Sequence, residues 1–233
     1  MLISGLQKLT LLDFPGTVSC TVFTGGCNFR CPFCHNASLV LPERMKNDPN
    51  GVETVLDFLR KRQGLLEGVA VTGGEPLLHA DIGDFLREVR ALGYRIKLDT
   101  NGSFPDRLGE LIGEGLVDRV AMDIKNDPAL YAVTAGLRAL DISAIERSKE
   151  LLLQGKVAYE FRTTVVKGLH TRESLMEAAR WIEGAQEYYL QQYRDSGNLI
   201  RPEGLGAFSD EEMHALCEAV AEILPTVRLR GVE

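Results

Sequence analysis

The chain has 233 residues, 45% of them hydrophobic and 25% charged, which suits one globular domain with a sizeable core. A formal net charge of −7 and a pI of about 5.3 argue against a nucleic-acid partner, because phosphate backbones attract basic surfaces. No apolar run approaches the roughly 20 residues of a membrane span, and residues 1–5 lack the start of a signal peptide; the expected compartment is a reducing cytoplasm, where cysteines stay free thiols.

In chain order, residues 2–16 fall outside any repeat and are expected to form a short hairpin or flap. Residues 18–23 read as a first strand, and 52–62 supply the first helix. Residues 68–72 form a short β-branched run. The stretch 81–92 follows, with Ile82, Phe85, Leu86 and Val89 at helical spacing. The alternation continues with a strand at 95–99, a helix at 106–114, a strand at 117–124 and a helix at 142–154. It ends with a strand at 158–166, a helix at 174–182, a strand at 187–193 and a helix at 210–223, for which Ser209 is the N-cap. Residues 226–229 could add an edge strand. Alternating β and α units with right-handed crossovers imply a parallel sheet covered by helices. About six units are present, two short of a closed barrel. The expected fold is therefore α/β, a partial (β/α)6 TIM-type barrel with an open parallel sheet and a short N-terminal hairpin. A doubly wound sheet is the alternative. The domain reading is a single unit over 1–233, with the hairpin at 1–17, the barrel core at 18–194 and a C-terminal helix and edge strand at 195–233.

Three of the five cysteines, Cys27, Cys31 and Cys34, lie in one loop after the first strand, spaced C-x3-C-x2-C. Thiolates held that close converge on a soft metal centre, with an iron–sulfur cluster the usual occupant and zinc its competitor. A disulfide reading suits neither the odd number nor the compartment. A [4Fe–4S] cube needs four ligands and the loop offers three, so one iron stays open to an outside ligand, as in catalytic metal sites. Cys20 lies on the first strand and Cys217 in a helix, both read as packing residues.

The remaining unusual motifs sit at the carboxyl ends of the other strands, where parallel α/β folds collect ligands. Gly73, Gly74 and Glu75 follow the second strand. Glycines allow close approach of backbone to a ligand, and freed backbone groups beside a carboxylate suit an ammonium; a plain βα turn is the bland reading. Asp99 and Asp123 end neighbouring strands, either as a general acid/base pair or as oxygen ligands of a hard cation. Lys125 follows two residues later, with an ordinary ion pair to either aspartate as its structural reading. Arg162 interrupts an apolar strand and needs an anionic partner, either a ligand or a glutamate such as Glu160. His79, His170 and His214 show no constellation.

The cysteine spacing followed by His35 and Asn36, together with Gly73-Gly74-Glu75, resembles the radical S-adenosylmethionine enzymes. Residues 9–16 (Leu-Thr-Leu-Leu-Asp-Phe-Pro-Gly) and Gln191-Gln192-Tyr193-Arg194 resemble the branch that activates glycyl radical enzymes, notably the activating proteins of anaerobic ribonucleotide reductase. Asp99-Thr100-Asn101-Gly102 and Asp123-Ile124-Lys125 resemble the pyruvate formate-lyase activating enzyme. The resemblance implies a [4Fe–4S] cluster on Cys27, Cys31 and Cys34, whose open iron takes S-adenosylmethionine. It implies that Gly73, Gly74 and Glu75 hold the methionine amino group, that Lys125 meets the cofactor carboxylate and that Phe33 and His35 line the adenine. Arg162 would meet the cofactor carboxylate or ribose, and Arg194 would lie against the adenosine. Asp99, Thr100, Asp123 and the Ala121 carbonyl would ligate a monovalent cation. The activity implied is reductive cleavage of S-adenosylmethionine to a 5′-deoxyadenosyl radical, which takes a glycine hydrogen from a partner enzyme. A flavodoxin- or ferredoxin-type protein would supply the electron.

Two other readings stay open, a radical enzyme acting on a small molecule such as a deazapurine precursor, and a non-catalytic metal-binding or electron-transfer protein. The ligand assignment is checked by iron analysis after anaerobic reconstitution: Cys31→Ala should abolish cluster binding, whereas Cys217→Ala should leave the iron content unchanged.

Overall fold

The computed structural model describes residues 1–43, 51–195 and 197–232. Eight strands make one sheet in unbroken chain order: β1 (Ile3–Thr10), β2 (Ser19–Thr24), β3 (Gly68–Gly73), β4 (Arg95–Thr100), β5 (Arg119–Asp123), β6 (Ala158–Val165), β7 (Tyr188–Gln192) and β8 (Val227–Arg230). β1 pairs antiparallel with β2, and each later neighbour is parallel. A doubly wound sheet must reverse its direction of travel; this one never does, so the right-handed crossovers lay the helices on one face. The sheet is open, a partial TIM-type barrel. The expected hairpin is β1 and its turn, and it forms an edge of the main sheet.

The helices are α1 (Ala37–Val40), α2 (Val52–Arg60), α3 (Ile82–Ala91), α4 (Pro105–Gly113), α5 (Tyr131–Thr134), α6 (Ser143–Leu153), α7 (Arg172–Trp181) and α8 (Asp210–Ala221). Each of the longer six has the expected position. The four-residue helices α1 and α5 are additions, too short to produce a periodic signal. α8 starts at Ser209, whose hydroxyl accepts from the Glu212 N–H in a full capping box, a motif that satisfies two orphan donors of the first turn. Of the expected C-terminal segment 195–233, residues 196 and 233 lie outside the described residues.

Strand alternation separates two environments. On β4, Ile96 and Leu98 join the core beneath the helices while Lys97 and Asp99 occupy the opposite face. β6 likewise gives Tyr159, Phe161 and Val165 to the core and Glu160 and Arg162 to ion pairs. A closed barrel fills its interior with branched apolar layers. Here the concave face is charged, which an open sheet permits because water and ligands can reach it. Glu160 is nearly fully buried yet meets both Arg119 at 2.9 Å and Arg230 at 2.9 Å. Burial opposes its ionisation, but the two guanidiniums hold it down at about 2.

The apolar face therefore carries the stability. Leu98 is fully buried and Leu12 is 88% exposed. Leu98→Ala should cost about 2–5 kcal/mol, whereas Leu12→Ala should stay within about 0.5 kcal/mol, both read by chemical denaturation of the apoprotein.

Candidate active site

The carboxyl ends of the strands enclose a cavity of about 340 Å³. Cys27, Cys31 and Cys34 line one wall, with Phe33 and His35 between and beside them, and Gly73 and Gly74 face them. Asp99, Thr100, Asp123, Lys125 and Arg162 form the floor. The structure thus brings together most of the residues singled out from the sequence. Cys20 and Cys217 stay outside, in the core and at its margin.

The cysteine loop is held both by its own hydrogen bonds and by its neighbours. Arg30 turns its guanidinium back onto the Phe29 carbonyl at 2.7 Å and the Cys27 carbonyl at 2.5 Å, while its N–H donates to Ala135. Gly136, at φ +71°, sits where a Cβ would come within 1.9 Å of the Arg30 carbonyl, so only glycine permits this approach. His79 Nε2 meets the Gly25 carbonyl at 3.0 Å. Burial pushes the Cys27 thiol up to about 12 and Cys31 up to about 11, and raises Cys34 as well. Any metal taken up here must displace their protons and supply the positive charge that stabilises thiolates.

Gly73 and Gly74 line the cavity and also pack against the cysteine loop. Gly73 has φ +118°, and a Cβ there would meet the Thr24 backbone at 2.4 Å; a Cβ on Gly74 would lie 1.9 Å from the Gly26 carbonyl oxygen. That same carbonyl accepts the Glu75 N–H at 2.9 Å. Glu75 itself departs from expectation. Its side chain is fully buried behind the cavity wall, where it accepts from Leu77 N–H at 3.0 Å, Thr100 Oγ1 at 2.8 Å and Asn101 N–H at 2.7 Å. Burial pushes its carboxyl up to about 7 against the pull of those three donors. The carboxylate anchors the loop to the end of β4, and the backbone of Gly73 and Gly74 faces the cavity.

On the floor, Arg162 bridges the two aspartates, with Nη1 to Asp99 at 3.0 Å and Nε to Asp123 at 3.0 Å. Lys97 pairs with Asp99 and Lys125 Nζ with Asp123 at 2.9 Å. Burial works to raise the Asp123 carboxyl, but Arg162 and Lys125 prevail and hold it below the usual carboxylate range. Burial alone would lower Lys125; Asp123 outweighs it and keeps the ammonium charged. Two cations, Lys125 and Arg162, thus meet the Asp99 and Asp123 carboxylates in the cavity lining, while Lys97 is buried against Asp99. The end of β5 is fixed by Tyr131, which donates to the Asp123 carbonyl at 3.1 Å, and by His170, whose Nε2 meets the Lys125 carbonyl at 2.8 Å.

Some expectations change. Arg194 does not reach the cavity: β7 ends at Gln192, and the exposed guanidinium of Arg194 donates to the Gly231 carbonyl at 3.1 Å. Gln191, on the concave face, lines the cavity instead. Ala121 lies in mid-strand, paired with Asp99 on β4 and Glu160 on β6, and does not line the cavity. Thr100 does, but its hydroxyl is committed to Glu75. Sequence reasoning missed Lys97 and Asp13. The i, i+2 spacing of Lys97 and Asp99 signalled a shared strand face. No local pattern places Asp13, which the turn before β2 carries to the cavity, where it accepts from Thr21 Oγ1 at 2.5 Å.

The donor set fits an iron–sulfur cluster with one open position. Cys27, Cys31 and Cys34 all open on one cavity while Cys20 and Cys217 do not, and three soft thiolate donors leave a four-iron cluster one position for an outside ligand. The glycine pair keeps the opposite wall free of side chains, and the floor of paired charges lies beside it. Gly74→Ala should drive a methyl into the Gly26 carbonyl. The expected result is a folded protein, by circular dichroism, that loses most of its capacity for iron in anaerobic reconstitution.

Several known proteins are similar to this chain. A protein of Methanocaldococcus jannaschii, provisionally named a glycyl-radical enzyme activating enzyme, is 30% identical over 196 residues, covering 82% of this chain and 80% of its own length. A 7-carboxy-7-deazaguanine synthase of Hyperthermus butylicus is 39% identical over 93 residues, 40% of this chain and 38% of that protein. Among solved structures, Streptococcus suis SuiB bound to S-adenosylmethionine superposes with a TM-score of 0.69 at 15% identity, over 89% of this chain and 49% of that one. The same protein bound to a precursor peptide gives 0.70 at 15% identity, over 91% and 48%. The sequence profile of the Radical SAM superfamily matches residues 21–182. This chain belongs to the Radical SAM superfamily, which implies a [4Fe–4S] cluster and S-adenosylmethionine as its cofactors.

Proposed function

We propose that this chain is a glycyl-radical-enzyme activating enzyme, whose substrate is a glycine in a loop of a partner protein, with anaerobic ribonucleotide reductase the favoured partner. The observation that carries the reading is the similarity to the M. jannaschii protein along 82% of this chain and 80% of that one. The match to the deazaguanine synthase of H. butylicus spans 38% of that protein, and supports the small-molecule reading as the alternative.

In this reading Cys27, Cys31 and Cys34 hold the cluster and leave one iron for the cofactor. The bound pair supplies one-electron chemistry able to remove an unactivated C–H hydrogen. Lys125 and Arg162, fixed by Asp123 and Asp99, place positive charge where the cofactor carboxylate would lie. The bare backbone at Gly73 and Gly74 admits the methionine amino group, and the Phe33–His35 segment borders the adenine. Holding the reacting atoms in this cavity and limiting water are the protein's contributions to rate. A monovalent cation between Asp99 and Asp123 would have to displace Arg162, so the aspartates are read as guanidinium ligands. A flavodoxin- or ferredoxin-type donor supplies the electron. With no helix among the described residues long and apolar enough to cross a membrane, the cytoplasm is the proposed compartment.

The test is anaerobic incubation of the reconstituted protein with dithionite and S-adenosylmethionine, alone and with a glycyl-radical ribonucleotide reductase. Formation of 5′-deoxyadenosine is expected in both, and a glycyl radical signal in paramagnetic resonance only with the partner. Absence of 5′-deoxyadenosine from iron-replete protein sinks the enzyme reading. Turnover with a deazapurine precursor and no radical on the partner establishes the alternative.

A further inference from the structure

Of the three thiols at the cavity, Cys27 is distinguished by the groups on its sulfur. The Phe29 N–H donates to Sγ at 3.3 Å, and the side-chain amide of Asn101 lies 3.9 Å from it. Among the described residues it is the one cysteine of the loop with a side-chain donor on its sulfur. Asn101 is 4% exposed, and its amide has a single consistent orientation. Its Oδ1 accepts from both Ser103 N–H at 3.0 Å and Ser103 Oγ at 2.5 Å. Nδ2 therefore faces the other way, donating to Asn28 Oδ1 at 2.9 Å with its second hydrogen left for the sulfur. Turning the amide over would set two oxygens against each other at Asn28 and an NH2 against the Ser103 N–H. The backbone N–H of Asn101 is held as well, by Glu75 Oε2 at 2.7 Å.

A donor fixed on a cluster-bound sulfur has a defined electronic consequence. Reduction adds negative charge that is shared with the thiolate ligands, so an N–H aimed at sulfur stabilises the reduced form and raises the potential. We propose that Asn101 is a positioning residue that, through its amide N–H on the Cys27 sulfur, sets how readily the metal centre held there accepts an electron. The inference rests on the cluster reading of the three cysteines. It gives the Asn101-containing strand end a role in reduction, separate from the cofactor contacts made by its neighbours.

The experiment compares parent, Asn101→Ala and Asn28→Ala proteins, each reconstituted anaerobically with iron and sulfide, by iron analysis and by redox titration followed by paramagnetic resonance. Asn101→Ala is expected to keep the parent's iron content, to shift its midpoint potential to more negative values and to alter the resonance line shape. Asn28→Ala, an exposed position, removes the Oδ1 that accepts from Asn101 and the Nδ2 that donates to Ser103 Oγ at 2.9 Å, but keeps both Ser103 donors on Asn101 Oδ1, and should titrate like the parent. An Asn101→Ala potential equal to the parent's overturns the proposal, and so does an equal shift in Asn28→Ala, which would mark a general loosening of the loop. Should Asn101→Ala fail to load iron, Asn101→Leu decides in its place. It keeps the side-chain volume and removes the N–H, so a negative shift supports the proposal and an unmoved potential overturns it. A parent protein that binds no iron sinks the cluster reading and this inference together, whereas loaded proteins with identical potentials sink this inference alone.

Discussion

The site depends on a backbone contact between two neighbouring loops. The Gly26 carbonyl accepts the Glu75 N–H at 2.9 Å, and the chain at Gly74 lies so close that no side chain fits between them. From there the Glu75 carboxylate reaches Thr100 and Asn101 at the end of β4, and Asn101 returns to Cys27 and Asn28. Three loops from three adjacent strands are thereby closed into a ring of hydrogen bonds. A ring of this kind removes the freedom that a loop of three cysteines would otherwise have, and preorganised ligands lose less entropy when they bind.

The second constraint is electrostatic. The concave face carries Lys97, Asp99, Arg119, Asp123, Glu160 and Arg162 at strand positions that a closed barrel would give to apolar side chains. Burying such charges is costly unless each is matched. Here each has a partner, as in the Arg162 bridge to Asp99 and Asp123 and the Glu160 contacts to Arg119 and Arg230. Paired charges of this density give a floor that is polar and rigid beside the cavity.

Much of this was legible in the residues. The cysteine spacing announced a metal loop because thiols three and four positions apart in one turn have few other uses in a reducing compartment. The carboxyl ends of β2 to β5 were legible because the motifs fell at the close of β-branched runs. Glu75 faces inward for a physical reason: a carboxylate beside two glycines looks free to meet a ligand, and only the packing of the short turn Pro76–Leu78 and of β4 around it turns it inward. Arg194 was misplaced because strand period tells which face a residue takes, not where the strand stops. Asp13 could not be found, since it arrives through a turn whose path is set by Phe14 packing near Gly68 and Arg95.

The sequence alone determined the repeating strand–helix order, a parallel sheet and the three-thiol loop at its first strand end, because these follow from local periodicity and from residue spacing; the strand order that excludes a doubly wound sheet came from the fold. Tertiary structure alone decided which carboxylates face the cavity, which cations neutralise them and which amide meets the Cys27 sulfur. Those choices depend on pairing and packing between segments far apart in the chain, where no local pattern records the partner.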